Sequence, residues 1–149
     1  MWKVMIVDDE KLICKLVQAL VEWDKLGMQM AAQAENAIQA LDMLQQYRPD
    51  ILITDIRMPG MDGLELMSKV RDILPFTVFI ILTNYAEFSY AKQAISLGAR
   101  EYILKSEMRS SDIQRIVAEI AATTAKIRSE KVHDVLQDGV VDLLSLIHI

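Results

Sequence analysis

Short, continuously apolar runs alternate along this chain with stretches in which apolar residues recur every three or four positions. The runs are Val4–Val7, Met28–Ala32, Ile51–Thr54, Phe76–Leu82 and Tyr102–Leu104. Runs without apolar–polar alternation are typical of parallel strands that are buried on both faces. The stretches with helical spacing are Leu12–Val21, Ile38–Leu44, Leu64–Ile73 and Phe88–Leu97. The alternation predicts an α/β fold, a doubly wound five-stranded parallel sheet with flanking helices.

Polar residues stand where the helices are predicted to begin, with the spacing of a capping box or a close variant. These pairs are Asn36 with Gln39, Asp62 with Glu65, Asn84 with Glu87 and Ser111 with Gln114. Gly27 and Gly98 suit helix exits, and Pro49 and Pro75 stop helices just before strands.

Helical spacing continues from Ser111 to Gln137. As one helix this segment would be about 40 Å long, more than a small sheet needs as cover. We therefore expect one domain over 1–122, followed over 123–149 by a helical linker, the truncated start of a further region or a tail. The surplus length motivates a hypothesis of homodimers formed through the long C-terminal helices.

Composition and charge exclude several classes of protein. The 149 residues are 52% hydrophobic, enough for the core of one domain, and the net charge of −5 gives no electrostatic footprint for nucleic acid. No apolar run approaches the roughly 20 residues of a membrane span, and Met1-Trp2-Lys3 leads directly into the first strand. We expect a cytoplasmic protein with no membrane partner. Cys14, the single cysteine, lies in an apolar helical stripe and is predicted to be a buried structural thiol.

Chemically active side chains stand at or just after the ends of four predicted strands. Asp8 and Asp9 follow the first run and Asp55 the third, while Thr83 and Lys105 follow the fourth and fifth. The carboxyl ends of parallel strands form one rim of a sheet, where ligands bind. An ionised carboxylate beside a core requires compensation, and three carboxylates suit Mg²⁺, a hard cation that prefers oxygen ligands. The pattern therefore predicts a site for Mg²⁺ and for a phosphoryl group on Asp55.

These residues, in this order, resemble the receiver domain of bacterial two-component response regulators, which has a flavodoxin-like fold. The resemblance covers about residues 1–122. It rests on Val7-Asp8-Asp9-Glu10, Thr54-Asp55-Ile56-Arg57-Met58-Pro59, Met61-Asp62-Gly63, Leu82-Thr83, Tyr102 and Lys105. Val21-Glu22-Trp23, Ala34-Glu35-Asn36 and Tyr85-Ala86-Glu87-Phe88 are similar to the subgroup whose members carry a C-terminal AraC-type DNA-binding domain.

The resemblance implies a role for each site residue. Asp55 would accept a phosphoryl group from a sensor histidine kinase. Asp9, Asp55 and the backbone carbonyl of Arg57 would bind Mg²⁺, with Asp8 helping through water. Thr83 and Lys105 would contact phosphoryl oxygens, and Tyr102 would move inward as Thr83 moves. The switched C-terminal surface would control a DNA-binding output domain, so this segment would contact DNA only through that domain.

Two positions depart from the family pattern. Ser106 follows Lys105, where most receivers have proline after a cis peptide bond. A cis bond without proline costs roughly 2.5–4 kcal/mol, so we expect a trans bond and a reshaped loop, with a strained cis bond as the alternative. We also expect Asn84, which is bulkier than the residue common there, to narrow access to the phosphoryl group.

Three other functions remain open on the residues alone. A magnesium-dependent aspartyl-phosphate hydrolase would need an aspartate two residues after Asp55, where this chain has Arg57. A flavin-binding protein would need a hydroxyl-rich loop after the first strand, where Asp8-Asp9-Glu10 repels phosphate unless a metal is bound. A receiver-like domain that acts by contact, without phosphorylation, would keep the same fold.

Overall fold

The computed structural model describes residues 1–84, 87–109 and 112–123. The strands are β1 (Trp2–Val7), β2 (Met28–Ala34), β3 (Ile51–Asp55), β4 (Val78–Thr83) and β5 (Glu101–Leu104). The helices are α1 (Lys11–Leu20), α2 (Ala37–Tyr47), α3 (Gly63–Ile73) and α4 (Phe88–Ser96). Residues 112–123 are also helical and are called α5 here. None of the helices in these described ranges is long and apolar enough to cross a membrane.

All strand pairs are parallel, in the order β2-β1-β3-β4-β5. The predicted doubly wound parallel sheet is therefore confirmed. β3 is the central strand, with β1 on one side and β4 on the other. Because Val7 pairs with Thr54 and Asp55 with Leu82, the carboxyl ends of these three strands lie side by side.

Two hydrophobic cores cover the two faces of the sheet. Met5 and Val7 of β1 face a core shared with α2, α3 and α4, whereas Val4 and Ile6 face a core shared with α1 and α5. The side chains on both faces of β1 are thus buried, which explains why its sequence is continuously apolar. Fully buried Val17 of α1 and Val117 of α5 close the second core.

Two of the four predicted helix caps are confirmed. Asn36 Oδ1 accepts from Gln39 N at 2.8 Å, and Asp62 Oδ1 accepts from Glu65 N at 2.9 Å. Only half of the third pair forms, because Glu87 Oε2 accepts from the Asn84 amide at 3.3 Å while α4 begins at Phe88 without a side-chain cap.

Ser111, the predicted start of the fourth capping pair, lies outside the described residues, and so do residues 124–149. The long C-terminal helix and the dimer hypothesis therefore stay predictions. The predicted helix exits are confirmed, because Gly27 and Gly98 have φ angles of +71° and +107°.

Two local predictions need correction. β4 begins at Val78 rather than Phe76, because Phe76 lies in the turn after Pro75 and is 40% exposed. The α1 stripe is buried only in part, since Leu12 is 76% exposed although Cys14 is 4% exposed. Burial, followed by the charge of Asp8, raises the pKa of Cys14 to about 11. The thiol therefore stays protonated near neutral pH, as expected for a structural cysteine.

Candidate metal centre

The sheet brings the predicted site residues to one rim. Asp8 directly follows β1, Asp55 is the last residue of β3, Thr83 is the last of β4, and Lys105 directly follows β5. Thr83 pairs with Leu104, so β5 delivers Lys105 to the same edge. The convergence expected from the strand ends is confirmed for these four positions.

Lys105 is the electrostatic centre of this rim. Its Nζ lies 2.9 Å from Asp8 Oδ2, 3.0 Å from Glu10 Oε1 and 3.0 Å from Asp55 Oδ2, and its side chain is 5% exposed. Burial alone would lower the pKa of Lys105, but the three carboxylates outweigh burial and raise it. The ammonium therefore stays charged throughout the physiological pH range.

Asp55 is held by two donors of different kinds. Its Oδ1 accepts from the Ile56 amide at 2.8 Å, and its Oδ2 accepts from Lys105 Nζ at 3.0 Å. Burial raises the pKa of Asp55 to about 6, the charge of Asp8 adds to this effect, and Lys105 opposes it. The Asp55 carboxylate is therefore desolvated, and the single Lys105 ammonium does not fully offset burial and the negative charge of Asp8.

Asp8 has the same imbalance. It is fully buried, and its Oδ1 accepts from the Glu10 amide at 2.9 Å. Burial raises the pKa of Asp8 although the Glu10 amide and Lys105 oppose the rise. Asp8 Oδ2 has the ion pair with Lys105 but no hydrogen bond of good geometry among the described residues.

The donor set fits a divalent cation. Asp8, Asp9, Glu10 and Asp55 each offer a carboxylate oxygen, and these oxygens lie within 4.8 Å of one another. The cluster has four carboxylates, and the Lys105 ammonium contacts three of them, so negative charge is in excess. All the ligand atoms are hard oxygens of the type that Mg²⁺ prefers. Asp9 and Glu10 are exposed, which leaves the solvent side of the cluster open to water. The cluster could therefore hold Mg²⁺.

Sequence reasoning missed Glu10 as a site residue. Glu10 is the amino-terminal flank of α1, and its carboxylate turns back to contact Lys105. Its place directly after Asp8-Asp9 was a signal, but a 55% exposed glutamate side chain is more often only solvated.

The loop after β5 keeps Lys105 in position without a proline. The Lys105–Ser106 peptide bond is trans, as expected, and Lys105–Glu107 forms a short 3-10 helix. Lys105 Nζ nevertheless reaches Asp55. The substitution of serine for proline is therefore compatible with the placement of the lysine.

Three predicted residues make contacts other than with Asp55. Buried Thr83 donates its hydroxyl to the Asn84 carbonyl oxygen at 3.1 Å. Half-buried Tyr102 packs against Phe88 with ring centroids 6.1 Å apart at 76°. The exposed Arg57 guanidinium lies 5.8 Å from the ring centroid of Tyr90. Their roles toward a metal or a phosphoryl group stay predictions.

Gly63 allows the loop after Asp55 to close tightly. The Gly63 amide donates to the Ile56 carbonyl oxygen at 2.6 Å. A Cβ at this position would collide with the Asp55 carbonyl oxygen and lie 2.9 Å from Ile56 Cα. Both obstacles are backbone atoms, so only glycine permits this approach of α3 to the end of β3.

Comparison with known proteins decides the family. The profile of the response regulator receiver domain matches residues 4–121. This chain belongs to the response regulator receiver domain family. Its fold and its acidic rim are those of a signalling receiver rather than of a flavin-binding protein.

Curated relatives include transcriptional regulators. An uncharacterized transcriptional regulatory protein, YesN of Bacillus subtilis, is 36% identical over 133 residues, which are 89% of this chain and 35% of YesN. The transcriptional regulatory protein HptR of Staphylococcus aureus is 35% identical over 105 residues, 70% of this chain and 41% of HptR. The receiver thus spans about a third to two-fifths of the length of these relatives.

Solved structures agree with the fold. The REC domain of AraT, a response regulator from Geobacillus stearothermophilus, has a TM-score of 0.78 at 37% identity, covering 87% of this chain and 98% of that one. A two component transcriptional regulator AraC from Clostridium phytofermentans has a TM-score of 0.75 at 28% identity, covering 87% and 99%. These likenesses support the narrower resemblance to receivers of the AraC-type subgroup.

Proposed function

We propose that this receiver accepts a phosphoryl group on Asp55 from the phosphohistidine of a cytoplasmic sensor histidine kinase. The observation that carries the proposal is the buried Asp55 carboxylate. Its Oδ2 lies 3.0 Å from Lys105 Nζ, and it has an oxygen within 4.8 Å of oxygens of three other carboxylates. Phosphoryl transfer needs positioning and positive charge more than covalent machinery, and this rim supplies both.

The chemical step is a displacement at phosphorus. A carboxylate oxygen of Asp55 forms the new O–P bond while the N–P bond of the phosphohistidine breaks, and the imidazole nitrogen keeps the electron pair. Lys105 lies beside Asp55 Oδ2 and neutralises charge on the transferred group. Later attack by water on phosphorus returns the free carboxylate and inorganic phosphate.

Asp8, Asp9, Asp55 and the Arg57 carbonyl are proposed to hold Mg²⁺, with Glu10 as an additional carboxylate in reach. When bound, Mg²⁺ neutralises the phosphoryl oxygens during transfer. Asp55 and Asp8 orient their oxygens through amide hydrogen bonds from Ile56 and Glu10. These bonds keep the carboxylates in place in the absence of any ligand.

The phosphoryl group would act as the switch. It adds about 1.5–2 negative charges and three acceptor oxygens to the end of β3. Thr83 would turn from the Asn84 carbonyl toward a phosphoryl oxygen, and Tyr102 would move inward beside α4. We propose that the receiver spans 1–122 and passes this change to a DNA-binding output domain through 123–149.

Intact-mass analysis after incubation with acetyl phosphate and Mg²⁺ tests the proposal. We expect one added phosphoryl group on the wild type and on Asp72→Asn, an exposed carboxylate of α3. We expect none on Asp55→Asn or after removal of Mg²⁺. An unmodified wild type with an intact fold would contradict the proposal and favour a receiver that signals by contact alone.

A further inference from the structure

Donors at the end of β4 form hydrogen bonds with acceptors from the residues that follow the strand. Thr83 Oγ1 donates to the Asn84 carbonyl oxygen at 3.1 Å, and the Asn84 amide donates to Glu87 Oε2 at 3.3 Å. The Glu87 amide donates to the same Asn84 carbonyl oxygen at 3.0 Å. The Thr83 hydroxyl and the Asn84 amide at the end of β4 therefore both have acceptors.

Glu87 is one of the buried acidic residues in the described part of the chain. It is 8% exposed, whereas its neighbours Asn84 and Phe88 are exposed. None of the ion pairs formed among the described residues includes Glu87. Burying a carboxylate costs free energy unless hydrogen bonds or charges compensate it, so the hydrogen bond from the Asn84 amide stabilises Glu87 in this position.

The end of β4 lies beside the phosphoacceptor. Asp55 pairs with Leu82 across the sheet, so Thr83 and Asn84 follow directly at the same edge. A phosphoryl group on Asp55 would increase the negative charge that Glu87 experiences. The phosphoryl oxygens and the Glu87 carboxylate are then rival acceptors for donors at the same strand end.

We propose that Glu87 is a positioning residue that competes with the phosphoryl group for the Asn84 amide and so holds the unphosphorylated conformation. The proposal rests on the proposed phosphorylation of Asp55. Release of Asn84 frees Glu87, which directly precedes Phe88, the ring that packs edge-on against Tyr102. Glu87 thereby links the end of β4 to the amino terminus of α4.

An ordinary capping role would leave a different signature. A carboxylate that only stabilises the start of α4 would contribute to folding but would not change the affinity for a phosphoryl mimic. Competition predicts that removal of Glu87 strengthens binding of the mimic. The two roles are therefore separated by the direction of the affinity change.

Amide NMR on the full chain tests the competition, with beryllofluoride and Mg²⁺ as the probe. The variants are Glu87→Gln, which keeps an acceptor without the charge, and Glu87→Ala, which removes both. Asp72→Asn is the control for the loss of one negative charge. Hydrogen exchange of the Asn84 amide is measured first without the probe, and the dissociation constant of beryllofluoride is measured second.

We expect Asn84 exchange about fivefold faster in Glu87→Ala, with Glu87→Gln intermediate. We expect beryllofluoride to bind about tenfold tighter to Glu87→Ala, the effect of removing one charged hydrogen bond, and unchanged to Asp72→Asn. Equal affinity for the wild type and both Glu87 variants would overturn the proposal, as would unchanged Asn84 exchange. Should Glu87→Ala fail to fold, Glu87→Gln decides by the same two measurements.

Failure of the proposed function has its own signature. A well-folded wild type that binds no beryllofluoride would contradict phosphorylation of Asp55. The Asn84 exchange rates need no probe, so they would still show whether Glu87 holds the amide.

Discussion

Lys105 donates a 3.0 Å hydrogen bond to Asp55 Oδ2 from a loop whose next residue is Ser106 rather than proline. Asp55 ends β3 and Lys105 directly follows β5, and β4 separates these two strands in the sheet. A single ammonium thus bridges the central strand and the edge strand. Its removal should affect both the stability of the rim and its chemistry.

Replacement of Asp55 by asparagine should stabilise the metal-free protein above neutral pH. The pKa of Asp55 is raised from 3.8 to about 6, chiefly by burial, so its stabilising contribution is complete below pH 3.8 and is lost as pH rises through about 6. The shift corresponds to at most about 3 kcal/mol. Denaturant unfolding of the wild type and Asp55→Asn at pH 4 and pH 7.5, without metal, measures the difference.

The advantage of Asp55→Asn should grow across this pH interval. A constant difference between pH 4 and pH 7.5 would show that Asp55 titrates near its ordinary pKa in the fold.

Replacement of Lys105 by methionine should destabilise the domain at pH 7. The change leaves buried Asp8 and Asp55 without their ammonium, and breaking a buried ion pair in this way costs about 3–5 kcal/mol. Added Mg²⁺ should restore part of the loss. Thermal unfolding with and without Mg²⁺ tests this, with Lys69→Met on the exposed side of α3 as the matched control. A Lys105→Met variant as stable as the control would count against the charge imbalance.

Mg²⁺ should raise the melting temperature of the wild type in a concentration-dependent manner. A ligand that binds only the folded state adds about 2.7 kcal/mol at 100 times its dissociation constant. Asp9→Asn should reduce the effect, because it removes an exposed ligand while leaving the buried core intact. Asp72→Asn should respond like the wild type, and equal responses from all three proteins would argue against a site at the rim.

Replacement of Gly63 by alanine should cost about 1–3 kcal/mol of stability. The added methyl group would meet backbone atoms of Asp55 and Ile56, which cannot rotate away as a side chain would. Urea unfolding compares this variant with Ser68→Ala at an exposed position of the same helix, where we expect almost no loss. Equal midpoints would mean that the loop before α3 relaxes without penalty.

Most of the fold could be predicted because each strand carries its own signal. Ile51–Ile53 and Ile80–Leu82 are apolar on both faces, as is typical of a parallel sheet that is covered on both sides. The convergence of the site residues could be predicted for the same reason, because the carboxyl ends of parallel strands lie at the same edge of the sheet. Phe76 was misassigned because its apolar side chain continues the run, although the turn after Pro75 leaves it exposed.

The features that the sequence did not predict depend on which contacts a side chain makes and on whether it is buried in the folded domain. Glu10 contacts Lys105 because it is the N-cap residue of α1 and its side chain turns back toward the rim. Glu87 resembled an ordinary capping residue, and its burial depends on how α4 lies against the sheet. Leu12 fitted the apolar spacing of α1 but lies on its solvent side. Spacing alone cannot distinguish these cases.

The order of the strands also sets the order in which the charged residues of the site are synthesised. Asp8, Asp9 and Asp55 precede β4 in the sequence, but Lys105 follows β5, the last strand among the described residues, which pairs with β4. During synthesis from the amino terminus, the acids emerge long before the ammonium that neutralises them. A nascent chain that ends before β5 therefore holds a repulsive cluster rather than a finished site. Lys105 is thus the last of these charged groups to be synthesised.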